Sequence, residues 1–194
     1  MLAKVRALRP HWAVGSYQPG DWLPHPALPH FEWARTRHPK EVVAGLGAAA
    51  RRAFLVDMIT AHAECWLEPK LAAGETVVMD SYHIRFWARE EVRGGAPAAF
   101  GEMFNALPAI DHAVLLQLSA ADAAARKPGF EAHELRGAAG DRAEFEAFQA
   151  EVFEVMRRRC EAVARRVSLV DAGRSPSEVA EAFVAAVEGA ESAG

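Results

Sequence analysis

The chain has 194 residues, of which 51% are hydrophobic and 25% charged, and its formal net charge is -4. That length suits a core of ordinary size, and the mild acidity argues against nucleic-acid or anionic-membrane partners. Cys65 and Cys160 stand alone without C-x-x-C spacing, so neither a disulfide framework nor a zinc site is indicated.

The spacing predicts a helix over residues 1–9, closed by Pro10. Residues 11–16 form a short apolar run ending at Tyr17-Gln18-Pro19-Gly20, the pattern of a strand and turn. Residues 20–40 mix proline, tryptophan and histidine and read as an ordered, irregular loop. From 41 to 73, Val43, Leu46, Phe54, Leu55, Met58, Ile59 and Leu67 recur at helical spacing, in two helices stopped by Gly74. Thr76-Val77-Val78-Met79 then runs apolar into Asp80, as a buried parallel strand does. Residues 113–118 and 167–170 repeat that pattern, separated by helical stretches at 83–93, 98–106, 120–126, 141–165 and 176–188. Strands alternating with helices predict an α/β fold with a parallel sheet, and 189–194 reads as a frayed tail. No apolar run approaches the ~18 residues of a membrane span, and no apolar segment of a signal peptide follows the basic start, so a cytoplasmic protein is expected.

Asp80 follows directly on a buried strand, where open parallel sheets place their ligands. A carboxylate there holds Mg²⁺ through water or orients a nucleophile; the alternative role is a cap for the helix that begins near His83. Arg126, Lys127, Arg136 and Arg142 share a stretch with Gly129, Gly137 and Gly140, which suits a phosphate-covering lid or an ordinary solvated loop. Arg85 and Arg89 stand four residues apart, on one helix face that meets an anionic substrate or makes plain surface ion pairs. His25, His30 and His38 fall in one loop, but their spacings match no metal-binding pattern. Trp12, Tyr17, Trp22, Phe31 and Trp33 either stack on a base or pack their loop down.

The segment from Leu67-Glu68-Pro69 through Gly74 to Val77-Val78-Met79-Asp80-Ser81-Tyr82 resembles the thymidylate kinase signature I-x-P-A-L-x-x-G, strand, D-R-Y. His62 also fits a position of that family. Asp141-Arg142-Ala143-Glu144-Phe145-Glu146 is similar to its D-R-F-E after the lid. Val170-Asp171-Ala172-Gly173, then Ser177-Glu178-Val179, resemble its last strand, adenine-side loop and closing helix, and Tyr17-Gln18-Pro19-Gly20 sits where R-E-P-G is frequent. The resemblance spans nearly the whole chain and implies one domain over 1–194 with a P-loop-kinase-like parallel sheet flanked by helices and a lid at about 126–141. It implies transfer of the ATP γ-phosphoryl to a (deoxy)nucleoside monophosphate, with ATP and Mg²⁺ required and a homodimer as family habit. Carried across, Asp80 organises Mg²⁺ or the acceptor, and Arg126, Arg136 and Arg142 contact phosphate. Phe54, Tyr82, Arg85, Arg89 and Gln18 line the acceptor, and Ala172 and Gly173 lie beside adenine.

Two family arginines are replaced: Ser81 stands in D-R-Y, and Phe54-Leu55-Val56-Asp57-Met58 stands for F-A-A-D-R. Arg85 and Arg89 are the candidate substitutes, which points to an altered acceptor or to a neutral nucleoside as in deoxynucleoside kinases. The 194 residues contain no G-x-x-x-x-G-K-[ST]; Gly15 and Gly20 have the glycine spacing, but Asp21-Trp22 follow. Residues 2–8 read like the helix that follows such a loop, so the first strand and P-loop are expected just before residue 1. Losing a central strand exposes backbone groups at about 1–3 kcal/mol each, against a domain stability of about 5–15 kcal/mol. The competing expectation is a degenerate nucleotide-binding or scaffolding module without catalysis.

Overall fold

A computed structural model describes residues 1–17, 45–95, 98–137 and 140–191. Gln18 and the irregular loop expected over 20–40, with its histidines and Trp22 and Trp33, lie outside the described residues. Chain order is α1 (Leu2–Leu8), β1 (Ala13–Gly15), α2 (Ala48–His62), a π turn (Ala63–Leu67), α3 (Glu68–Ala72), β2 (Val77–Met79) and α4 (Tyr82–Val92). It continues with α5 (Ala98–Glu102), a 3₁₀ turn (Met103–Ala106), β3 (Ile110–Gln117), α6 (Ala120–Ala125), a second 3₁₀ turn (Ala132–Glu134), α7 (Arg142–Val163), β4 (Ala164–Asp171) and α8 (Pro176–Glu191).

The local signals explain most of these limits. Ser119 caps α6 by accepting the Asp122 N–H at 3.0 Å, and Asp141 caps α7 by accepting the Glu144 N–H at 3.0 Å. Gly74 turns at φ +76°, a conformation favouring glycine, and ends the segment that α3 begins. At the lid, Glu131 and Glu134 form a reciprocal capping box around the short 3₁₀ turn.

The strands are parallel, as expected, and among the described residues they do not join in one sheet. They form two parallel pairs: β1 with β2, in register Val14 opposite Val78, and β3 with β4, in register Leu115 opposite Leu169. Among the described residues no strand lies between the pairs, so β2 bonds only β1 and β3 bonds only β4. Shared helices nevertheless hold both pairs. Val78 of β2 and Val114 of β3 pack on one cluster with Val5 of α1 and Ala180, Phe183 and Val184 of α8. On the opposite face Val77, Met79 and Ile110 pack against Ala63, Leu67 and Tyr82. Ile110, Ala113 and Leu115 also meet Ile84 of α4 and Cys160 of α7. In β2 alternate residues thus go to opposite faces, and in β3 Val114 faces away from Ala113 and Leu115, as strand geometry demands.

A separate apolar centre binds α2 to the region after α4: Leu55, Met58 and Ile59 pack with Phe100 and Phe104. Burying each such large side chain contributes about 1.5–3 kcal/mol. Helix α4 is clamped to α7 by Ala88 and Val92 against Phe148, Val152 and Val155. Among the described residues no helix is long and apolar enough to cross a membrane.

Candidate functional site

Asp80 lies at the end of β2, exposed, and its N–H donates to the Gly15 carbonyl at 3.0 Å, which extends the β1–β2 ladder. Its carboxylate makes no cap to α4. Instead Oδ1 accepts the Ser81 hydroxyl at 2.9 Å, and the same hydroxyl oxygen accepts from Arg85 at 3.0 Å. Arg85 and Asp80 are therefore joined through Ser81. The turn that sets this up is strained: Ser81 has φ +68° and Tyr82 φ +21°, both unusual for residues with a Cβ. Tyr82 itself is buried, with its hydroxyl donating to the Pro108 carbonyl at 3.3 Å.

One and two turns further along α4 the positive charge continues inward. The Arg89 Nε is sealed from solvent and has no hydrogen-bond partner. Burial first, then the neighbouring Arg85 and Arg93, push its pKa down to about 9, while Glu134 pulls the other way. The guanidinium keeps its proton at neutral pH, so this shift measures an uncompensated positive charge rather than a titration of physiological use.

Arg93 is satisfied by contrast. It donates to the His133 carbonyl at 2.7 Å and the Leu135 carbonyl at 3.2 Å, and its guanidinium lies 5.2 Å from the Phe148 ring. It also reaches Glu90, at 3.4 Å. Glu90 has a side chain only 1% exposed, and Arg51 grips both its oxygens, at 2.7 and 3.0 Å. Arg52 stands 3.8 Å away on the same carboxylate. Burial pushes the Glu134 carboxyl up, but the Lys127 ammonium and the Glu131 N–H outweigh it and bring the net value below the ordinary range. Arg51, Arg52 and Arg93 thus answer to Glu90 and Lys127 to Glu134, while Arg89 feels the like charges of Arg85 and Arg93 and the opposite charge of Glu134.

An aromatic cluster joins the end of β1 to α2, the π turn and α4. Tyr17 lies 4.9 Å from His62 and 5.3 Å from Phe86 between ring centroids, and His62 lies 5.1 Å from Trp66. Burial raises the Tyr17 pKa well above its ordinary value, and its hydroxyl, like Arg89 Nε, has no hydrogen-bond partner. Phe54 packs at the rim of the same apolar centre. Gly15 is required here, because a Cβ would sit 2.5 Å from the Trp66 ring.

The arginines of the expected lid go elsewhere. Arg126 donates to the carbonyls of Ala172, at 3.1 Å, and Gly173, at 3.4 Å, so the expected lid base and the expected adenine-side loop do meet. Asp171 holds that loop by accepting the Gly173 N–H at 2.8 Å. Arg136 pairs with Glu151 at 2.7 Å, and Arg142 with Glu146 at 2.6 Å. Among the described residues none of the three is hydrogen-bonded to Asp80. No group of three or more His, Cys, Asp or Glu side chains that could hold a metal ion occurs among the described residues.

Arg51, Arg52, Glu90 and Arg93 carry no signal in the sequence beyond charge on a helix; only the packing of α2 against α4 brings them together. In comparisons with known proteins, no family model and no curated protein matches the chain.

Proposed function

We propose that this chain binds the phosphate of a nucleoside monophosphate at Arg85 and Arg89 and belongs to a P-loop-kinase-like enzyme of the thymidylate kinase type. The observation that supports it most is Arg89. A charged guanidinium with a sealed, unpartnered Nε, flanked by Arg85 and Arg93, is a cost to the free protein. A dianionic phosphate offsets that cost, and guanidinium groups recognise phosphate by paired hydrogen bonds.

In this reading Arg85 and Arg89 hold the acceptor phosphate, and the Tyr17–Phe86 wall takes the base. Asp80 faces the transferring group and, through Ser81, keeps Arg85 turned toward the phosphate. ATP with Mg²⁺ supplies the phosphoryl group. The acceptor phosphate oxygen attacks the γ-phosphorus, the bond to the β-bridging oxygen breaks, and ADP leaves with a nucleoside diphosphate as product. What these residues contribute is position and charge.

A second reading, nucleotide binding without transfer, draws support from Arg136 and Arg142, whose charges are answered by Glu151 and Glu146. Calorimetric titration separates acceptor classes: nucleoside monophosphates bind, the matching nucleosides bind at least about tenfold more weakly, and Arg89→Met removes the difference. Equal binding of nucleoside and monophosphate contradicts an acceptor-phosphate site. Transfer by these 194 residues alone is expected to be impaired without a P-loop; binding with no transfer from ATP once an upstream strand and P-loop are restored selects the second reading.

A further inference from the structure

The stretch expected as a lid is pinned at its centre. Arg93 of α4 donates to the His133 carbonyl at 2.7 Å and the Leu135 carbonyl at 3.2 Å, and Gln149 of α7 donates to the Glu134 carbonyl between them at 2.8 Å. The Leu135 side chain is buried against Ala124 and Phe145. Residues 133–135 therefore form a fixed bridge from α4 to α7, and the Glu134 carboxylate is set in it with only 12% of its side chain exposed. Both its oxygens are engaged: one accepts the Lys127 ammonium at 2.5 Å, the other the Glu131 N–H at 3.2 Å. The ion pair joins the start of the stretch, just past α6, to its centre.

Arg93 stands four residues after Arg89, on the same face of α4. The bridge is thus anchored one turn from the guanidinium whose Nε has no hydrogen-bond partner. Of the charges that act on Arg89, Arg85 and Arg93 oppose it and Glu134 favours it. A carboxylate this buried, once released from Lys127, needs another cation, because an unpaired charge there is costly. Arg93 already donates to two carbonyls and to Glu90, whereas Arg89 Nε is unpartnered. We propose that Lys127 is a positioning residue for the anion site: by holding Glu134 it keeps a built-in competitor off Arg89 and leaves that guanidinium to an anionic ligand. The ammonium acts twice. It fixes the carboxylate in place, and it cancels a negative charge that would otherwise repel an incoming phosphate. The inference rests on the reading of Arg89 as an anion site, and it gives Lys127 a role exerted only through Glu134.

The test has a ligand-free and a ligand-bound arm, both on the whole chain. In a ligand-free crystal structure of Lys127→Met, the expected result is Glu134 within ion-pair distance of Arg89. The second arm is titration with inorganic phosphate, a probe that needs no base site. Lys127→Met is expected to bind phosphate at least about tenfold more weakly than the parent, and Glu134→Gln at least as tightly as the parent. The double variant Lys127→Met/Glu134→Gln is expected to return to within about threefold of the parent, and Lys127→Arg, which keeps the charge, to match it. A double variant at least about tenfold weaker than Glu134→Gln overturns the proposal, because it makes Lys127 itself a phosphate contact. That comparison holds even where Lys127→Met alone fails to fold. A Lys127→Met crystal in which Glu134 stays apart from Arg89 also overturns it. Parent-like phosphate binding by Arg89→Met defeats the anion site instead, and the ligand-free structure judges the hold on Glu134 independently of that result.

Discussion

At the scale of single residues, charge placement decides what each side chain does. Among the described residues Arg51, Arg52 and Arg93 share the Glu90 carboxylate, so Glu90→Gln takes that charge partner from all three. Removing one partner of such a buried pair costs about 3–5 kcal/mol, to be read from urea unfolding of Glu90→Gln against the parent. Arg89 is the opposite case, a half-buried guanidinium whose Nε has no hydrogen-bond partner and whose neighbours Arg85 and Arg93 repel it. Arg89→Met is therefore expected to leave the melting temperature unchanged or raise it while weakening monophosphate binding at least about tenfold. A drop in both would mark Arg89 as a structural residue. His83 supplies the pH dependence. Burial pushes its pKa down to about 4, so between pH 4 and 6.5 the unfolded chain binds more protons at this residue than the folded one. Its contribution to stability is accordingly full above about pH 6.5 and is lost on acidification toward 4. His83→Phe is expected to flatten the stability–pH slope in that window by up to about one proton, measured by urea unfolding at a series of pH values.

At the scale of elements, the sequence was a good guide to existence and a poor one to partnership. Each predicted helix and strand among the described residues appears within a few positions, because apolar periodicity, Gly74, Ser119 and Asp141 are local signals. What eluded local signals is how the elements meet. The clamp of Glu90 by Arg51 needs α2 packed on α4, and the departure of Arg136 and Arg142 toward Glu151 and Glu146 depends on where α7 begins. Asp80 was legible as a strand-end carboxylate, but its link to Arg85 depends on the left-handed Ser81, which no neighbouring glycine announced. The fit of β1 against the π turn offers a direct check. Gly15→Ala drives a Cβ into the Trp66 ring and is expected to cost about 1–3 kcal/mol, whereas Gly47→Ala, with nothing within 4 Å, has no such clash. Thermal unfolding of the two variants compares them.

At the scale of the whole molecule, the strands pair in parallel, as the alternation of strands and helices predicts, but among the described residues they form two pairs and not one sheet. Two pairs share their covering helices across a groove of mixed polarity, and the carboxyl end of β2 brings Asp80 into its lining. The charge follows the same geometry, from exposed Asp80 through Ser81 and Arg85 to the sealed Arg89. The most direct test is a crystal structure of the chain with a bound nucleoside monophosphate, with the phosphate position as its readout. The expected result is a phosphate oxygen within hydrogen-bond distance of Arg89 Nε and a second on Arg85, with the base against Tyr17 and Phe86. A phosphate seated on Arg136 or Arg142 instead, with Arg89 Nε still unpartnered, would contradict the acceptor site proposed here.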